Sequence, residues 1–95
     1  MTHYILLKLA DDADVDAVEA RVRKTYAALD AALDCLHDPK VYRSCVDRGS
    51  NATLMAVIQL DDVSCLQTYL THPLHVQMAE DLSKSIVGKM SFDHA

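Results

Sequence analysis

The stretch Tyr69–Val76, YLTHPLHV, sets two histidines around a proline. Imidazole changes charge close to neutral pH, so a histidine held in an apolar setting can take a proton from a carbon or oxygen acid. The fixed φ and missing N–H of Pro73 favour it as the first residue of a helix, which makes His72 the N-cap and His75 the third helical residue. His75 then shares a helix face with Met78, Ala79 and Leu82 and points inward. Burial and the positive end of the helix dipole both disfavour its imidazolium form. His72 is a poor cap beside Ser, Thr, Asp or Asn, and reads as a partly exposed ring at a helix junction. Tyr69 falls at the edge of a Val63, Leu66, Leu70 stripe, where its ring can be buried with the hydroxyl near a polar group. Each residue also has a plainer reading, as a structural core histidine or as core filler, and both readings stay open here.

Other chemistries are poorly served. His72 and His75 stand three apart, and His3, Asp93 and His94 could add metal ligands, but no third ligand is fixed by local spacing, so no metal is expected. No nucleophile elbow, phosphate loop or dinucleotide fingerprint occurs, and Gly49 and Gly88 are the only glycines, so no cofactor is expected. The three cysteines, Cys35, Cys45 and Cys65, are odd in number and lack C-x-x-C spacing, which predicts free thiols and a reduced, cytoplasmic setting. The formal charge of -5, with no Lys/Arg cluster, argues against nucleic acid as a partner. No run has transmembrane length or the form of a signal peptide, so no membrane association is expected.

The elements that must hold these residues follow from periodicity. Residues 2–9, THYILLKL, alternate with apolar groups on both faces: His3, Ile5, Leu7 and Leu9 on one, Tyr4 and Leu6 on the other. A helix follows, with Asp16 and Glu19 at capping-box spacing and a stripe of Val15, Val18, Val22, Tyr26, Leu29, Leu33 and Leu36. HDPK, residues 37–40, reads as the turn out of it, and a strand is expected over about 40–47. DRGSN, residues 47–51, turns the chain into a third, two-faced strand over 52–60. Asp61 or Asp62 caps the next helix, Pro73 interrupts it, a second stripe runs from His75 to Ile86, and IVGKMSF closes as a strand. No linker divides the 95 residues, so one domain over 1–95 is expected.

This order, β-α-β-β-α-β, predicts an α+β ferredoxin-like sandwich, a four-stranded antiparallel sheet with its helices on one face. The helices cover only that face, yet the first and third strands are apolar on both. A second copy is the simplest cover, sheet against sheet, which predicts a homodimer. Burying on the order of 400–600 Å² of apolar surface per subunit at ~25 cal/mol/Å² gives roughly 10–15 kcal/mol before association costs.

THYILLKL, the Y-x-x-H-P-x-H element and the terminal MSFDHA together resemble the stress-responsive A/B barrel domain family, over nearly the whole chain. The resemblance implies a ferredoxin-like subunit and a homodimer in which two sheets form an α+β barrel. The family includes members of unknown function and, more distantly similar, plant polyketide cyclases of the olivetolic acid type; barrels of similar size include cofactor-independent monooxygenases. By the cyclase pattern, Tyr69, His75 and Asp93 are the candidate catalytic residues: His75 is the base, Asp93 orients it, and Tyr69 assists. His3 matches a first-strand histidine in the same pocket and, with His72, is a candidate ligand-binding residue. Leu54 stands where the cyclase has a further histidine. Two functions are therefore expected to compete: a dimeric barrel that holds a small apolar molecule between helices and sheet, and a small cofactor-independent enzyme with a histidine base.

Overall fold

A computed structural model describes residues 1–95. In chain order the elements are β1 (Thr2–Leu9), α1 (Val15–Ala32), β2 (Leu36–Arg43), β3 (Leu54–Leu60), α2 (Val63–Thr71), α3 (Pro73–Leu82) and β4 (Ile86–His94). The strands form one antiparallel sheet in the order β2-β3-β1-β4. The expected ferredoxin-like α+β sandwich is therefore the fold, with the second helix broken into α2 and α3 at His72.

The two-faced strands, β1 and β3, are the central pair of the sheet, each paired with a neighbour along both edges. Their inward residues Ile5, Leu7, Leu9, Leu54, Ala56, Ile58 and Leu60 are buried against the helices. From α1 come Val18, Val22, Tyr26 and Leu29, from α2 Cys65 and Tyr69, and from α3 Met78 and Leu82. The opposite face carries Tyr4, Leu6, Met55 and Val57 in the middle, flanked by Tyr42 on β2 and by Met90 and Phe92 on β4. Met90 and Phe92 are 68% and 64% exposed, an apolar patch that a solitary soluble chain seldom shows to water.

Three local expectations need correcting. The cap of α1 is Asp14, whose carboxylate accepts from the Ala17 N–H, and not Asp16. Asp16 sits instead in the first helical turn, where its charge still suits the dipole, and it pairs with Arg43 of β2. Leu33 and Leu36 do not extend the α1 stripe: Leu33 is the extended C-cap, and Leu36 is a fully buried strand residue. Finally, HDPK lies inside β2 and not before it. Asp38 takes φ 52°, and the register against β3 slips between His37 and Lys40, a bulge that absorbs one residue. Pro39 is tolerated there because β2 is an edge strand and the missing donor breaks no necessary bond.

Candidate functional site around Tyr69

Asp62 caps α2, its carboxylate accepting from the Cys65 N–H, so the helix starts where its apolar stripe begins. The helix buries two residues, Cys65 and Tyr69, one turn apart on its inner face. At its end Pro73 occupies the first turn of α3 and His72 is the cap of that helix, as the sequence predicts. The His72 ring contributes to the cap, since its Nδ1 accepts from the Leu74 N–H at 3.1 Å. It is half-buried at the junction and is not among the rings that meet Tyr69.

Those rings are His75, His3 and Tyr26. Tyr69 is wholly buried; His75 meets it edge-on at 4.8 Å between centroids, and His3 does so at 5.7 Å. The Tyr69 and Tyr26 hydroxyls lie 2.6 Å apart and share a hydrogen bond. Tyr26 was foreseen only as part of a core stripe, and its hydroxyl is the member of the cluster that sequence reasoning missed. Burial pushes the Tyr26 hydroxyl up to about 12, opposed in part by the bond from Tyr69. Burial raises Tyr69 further, with the neighbouring Tyr26 and Asp93 acting in the same direction. Both phenols are therefore neutral hydrogen-bonding groups at physiological pH.

The expected His75–Asp93 pair is not formed. Antiparallel register sets Asp93 of β4 directly opposite His3 of β1, on the helix side of the sheet, and His3 Nδ1–H donates to Asp93 Oδ1 at 2.5 Å. His75 turns the other way along its own helix start, donating from Nδ1 to the Leu70 carbonyl at 3.0 Å. The two imidazoles therefore share a pattern: each spends Nδ1 on a fixed acceptor and has no protein partner at Nε2. For His3 this matters most, because its Nε2 is sealed from solvent and is the one buried side-chain polar atom without a hydrogen bond. A buried polar atom left without a partner costs about 1–3 kcal/mol, so it invites one from outside the chain.

His75 borders a small apolar cavity of about 40 Å³ between α1, α3 and the sheet, walled by Val22, Tyr26, Met78, Leu82, Ile86 and Lys89 among others. On its outer side it borders an open groove of about 510 Å³ along α3, formed with Leu70, Val76, Ala79, Glu80 and Ser83. The cavity has room for water, not for a drug-sized ligand. Two other hollows, of about 330 and 360 Å³, border the 43–53 turn and contain none of the histidines. Their polar walls are partly self-satisfied, with Lys8 Nζ donating to the Arg48 and Asn51 carbonyls. Of the ring cluster, His75 and Tyr26 line the smaller space. No three His, Cys, Asp or Glu side chains converge as metal ligands.

Burial holds the His75 ring below the ordinary histidine range; Lys89 and His3 act the same way, and the Leu70 carbonyl opposes them. The unfolded chain therefore binds a proton at His75 more readily than the native one does. Stability contributed by the neutral ring is present above pH ~6.5 and is lost as pH falls through that value toward the native pKa. Thermal unfolding followed from pH 7.5 to 5 should show a falling Tm, and His75→Gln should flatten that slope.

The cysteines correct another expectation. Cys35, in the link between α1 and β2, is disulfide-bonded to Cys65 at the start of α2, and Cys45 alone is free and exposed. No spacing rule for local motifs reaches a pair 30 residues apart.

The family model for the stress responsive A/B barrel domain matches residues 1–94. The chain belongs to that family. Among solved structures it is similar to a dimeric ferredoxin-like protein of unknown function from Bacteroides fragilis, with a TM-score of 0.83 at 23% identity over 98% of this chain and 92% of that one. A dimeric ferredoxin-like protein of unknown function from Thermobifida fusca gives 0.81 at 20% identity, over 99% and 88%. The hydroxynitrile lyase of Passiflora edulis gives 0.78 at 10%, over 98% and 89%. At these identities the likeness establishes the A/B barrel subunit fold. No curated protein sequence matches the chain. No helix is long and apolar enough to cross a membrane.

Proposed function

We propose that this A/B barrel protein is a homodimer that binds a small, largely apolar molecule carrying one hydrogen-bond donor, between α1, α3 and the sheet. The observation that carries the reading is the sealed, unpartnered His3 Nε2 beside Tyr69, whose other ring neighbours, His75 and Tyr26, line a cavity walled mostly by apolar groups. With Nδ1–H committed to Asp93, the neutral tautomer of His3 offers a lone pair at Nε2, and a ligand that binds it there supplies the proton of the bond. His75 offers a second acceptor. Entry requires the cavity to widen, and its wall includes Met78, an adaptable side chain, and Lys89, an exposed one on the β4 edge. Dimerisation is supported by the apolar outer sheet face, which a second copy would cover. For the cytoplasmic setting the cysteines point both ways: the exposed free Cys45 supports it and the Cys35–Cys65 disulfide, a bond favoured in oxidising compartments, opposes it.

The test uses 4-methylphenol and toluene, which share an apolar body and differ in the donor. Amide and imidazole NMR shifts around His3, Tyr69 and His75 should respond to 4-methylphenol and much less to toluene. His3→Phe, which keeps a ring and removes the acceptor, should weaken the phenol about tenfold, the worth of one hydrogen bond. Equal affinity for both probes, or no response at these residues, overturns the reading. Native mass spectrometry of the purified protein would identify a natural ligand that remains bound.

The enzyme reading is favoured by one observation, the Asp93–His3 pair, which has the form of a carboxylate-oriented imidazole base. In that reading His3, not His75, takes the proton from an acidic C–H, Asp93 orients the ring, and His75 and Tyr69 contact the substrate. Solvent deuterium exchange into a 1,3-diketone, catalysed by the protein and lost in His3→Phe, would support it; a rate no faster than buffer would remove it.

A further inference from the structure

We infer that the Cys35–Cys65 bond is a reversible redox clamp on α2, closing to hold Tyr69 against the two histidines and opening to release it. The placement of the sulfurs carries the inference. Helix α2 has nine residues and fully buries only Cys65 and Tyr69, with Leu66 and Leu70 packed partly against the core, so the bond holds one of its two deepest positions. Cys65 and Tyr69 lie four apart on one face, neighbours on successive turns of the helix. Cys35 sits in the link that follows α1, and its carbonyl accepts from the Asp61 N–H, so the far end of the clamp is tied to the segment leading into α2. His75 depends on the same helix, because its Nδ1–H is held by the Leu70 carbonyl at the α2 end. Opening the clamp therefore loosens the helix that carries the phenol and fixes one imidazole. The inference does not depend on what the pocket binds.

Access favours exchange at one end. Cys65 is 3% exposed, whereas Cys35 is only partly buried, which makes Cys35 the end assigned to an incoming thiolate. Opening then runs through attack of a small thiolate on Cys35 Sγ. Cys65 leaves as a thiolate and takes up a proton, and a second small thiol resolves the mixed disulfide. The protein gains two thiols and the small molecules end as one disulfide. Closing is the reverse, with a small-molecule disulfide as the oxidant that receives the two electrons.

The experiment uses the full chain with Cys45→Ser, which removes the exposed spectator thiol. Equilibration in reduced and oxidised glutathione buffers, alkylation and mass measurement should give reversible interconversion between no and two alkylated cysteines. In the reduced form, NMR should show the His75 titration midpoint moving up toward the ordinary histidine range, as water reaches the loosened ring, and the Tyr69 ring signals moving with it. A Cys35→Ala/Cys65→Val variant should match the reduced form in both buffers. Thiols that stay unpaired under oxidised glutathione overturn the inference. Identical His75 and Tyr69 signals in the two redox forms also overturn it. So does outright unfolding of the reduced chain and of the double variant, since the bond would then be a structural staple.

Discussion

Lysine at both Val57 and Phe92 should convert the proposed dimer into a folded monomer. Tyr4 of β1 pairs with Val57 of β3 on one side and with Phe92 of β4 on the other, so the three residues form one row across the outer face. Two-fold symmetry places every substitution in the interface twice. The double variant would then bury four ammonium groups, and each costs several kcal/mol in a low-dielectric contact. That exceeds what remains of roughly 10–15 kcal/mol per subunit once association costs are met. The fold itself should tolerate the change, because Phe92 is already 64% exposed and a lysine on the outer face of β3 can lift its charge into water once the partner is gone. Sedimentation velocity at micromolar concentration should give twice the 10.5 kDa chain mass for the native protein and the single chain mass for the variant. A native protein that sediments as a monomer would defeat the dimer, and a variant that stays dimeric would move the interface off the sheet.

The sheet was legible because central strands must be apolar on both faces once something covers the second one. THYILLKL and LMAVIQL carry that pattern, and they pair in the middle of the sheet. The helix break was legible for a local reason as well: Pro73 has no N–H to give, so the chain restarts there with His72 as its cap. What failed was reading position along the chain as position in space. Asp93 was assigned to His75 through a family pattern, while strand pairing alone sets it opposite His3. That signal was present, since the first and last strands of this topology are neighbours, and counting inward from their ends aligns the two residues. The Tyr26–Tyr69 contact joins two helices, and Cys35–Cys65 joins a loop to a helix start. Neither is encoded in any local spacing. The β2 boundary was misplaced because a Pro beside an Asp reads as a turn, whereas an edge strand accommodates both through a bulge.

Tyr69→Ala should cost about 3–5 kcal/mol, and comparison with Tyr69→Phe separates packing from polarity. The alanine variant removes a wholly buried ring and leaves a space between His3, His75 and Tyr26 that rigid sheet and helix walls can close only in part. For a chain of this length a loss of that size lowers Tm by roughly 15–30 °C. Tyr69→Phe keeps the ring and removes only the hydroxyl, but it strands the Tyr26 hydroxyl, which has Tyr69 as its hydrogen-bond partner and is itself buried. The expected cost is about 1–3 kcal/mol. Tyr26→Phe should cost a similar amount for the reciprocal reason. The double phenylalanine variant should then cost less than the sum of the two, because removing both hydroxyls leaves no orphan behind. Urea unfolding of the four proteins in this cycle reads the coupling directly. Strict additivity would mean that water replaces the lost partner in each single variant, and the cluster would then be wetter and more open than its packing implies. Strong coupling would mean a dry pair of phenols, fixed by each other, which is what an unpartnered imidazole beside them needs if it is to select a ligand by one hydrogen bond.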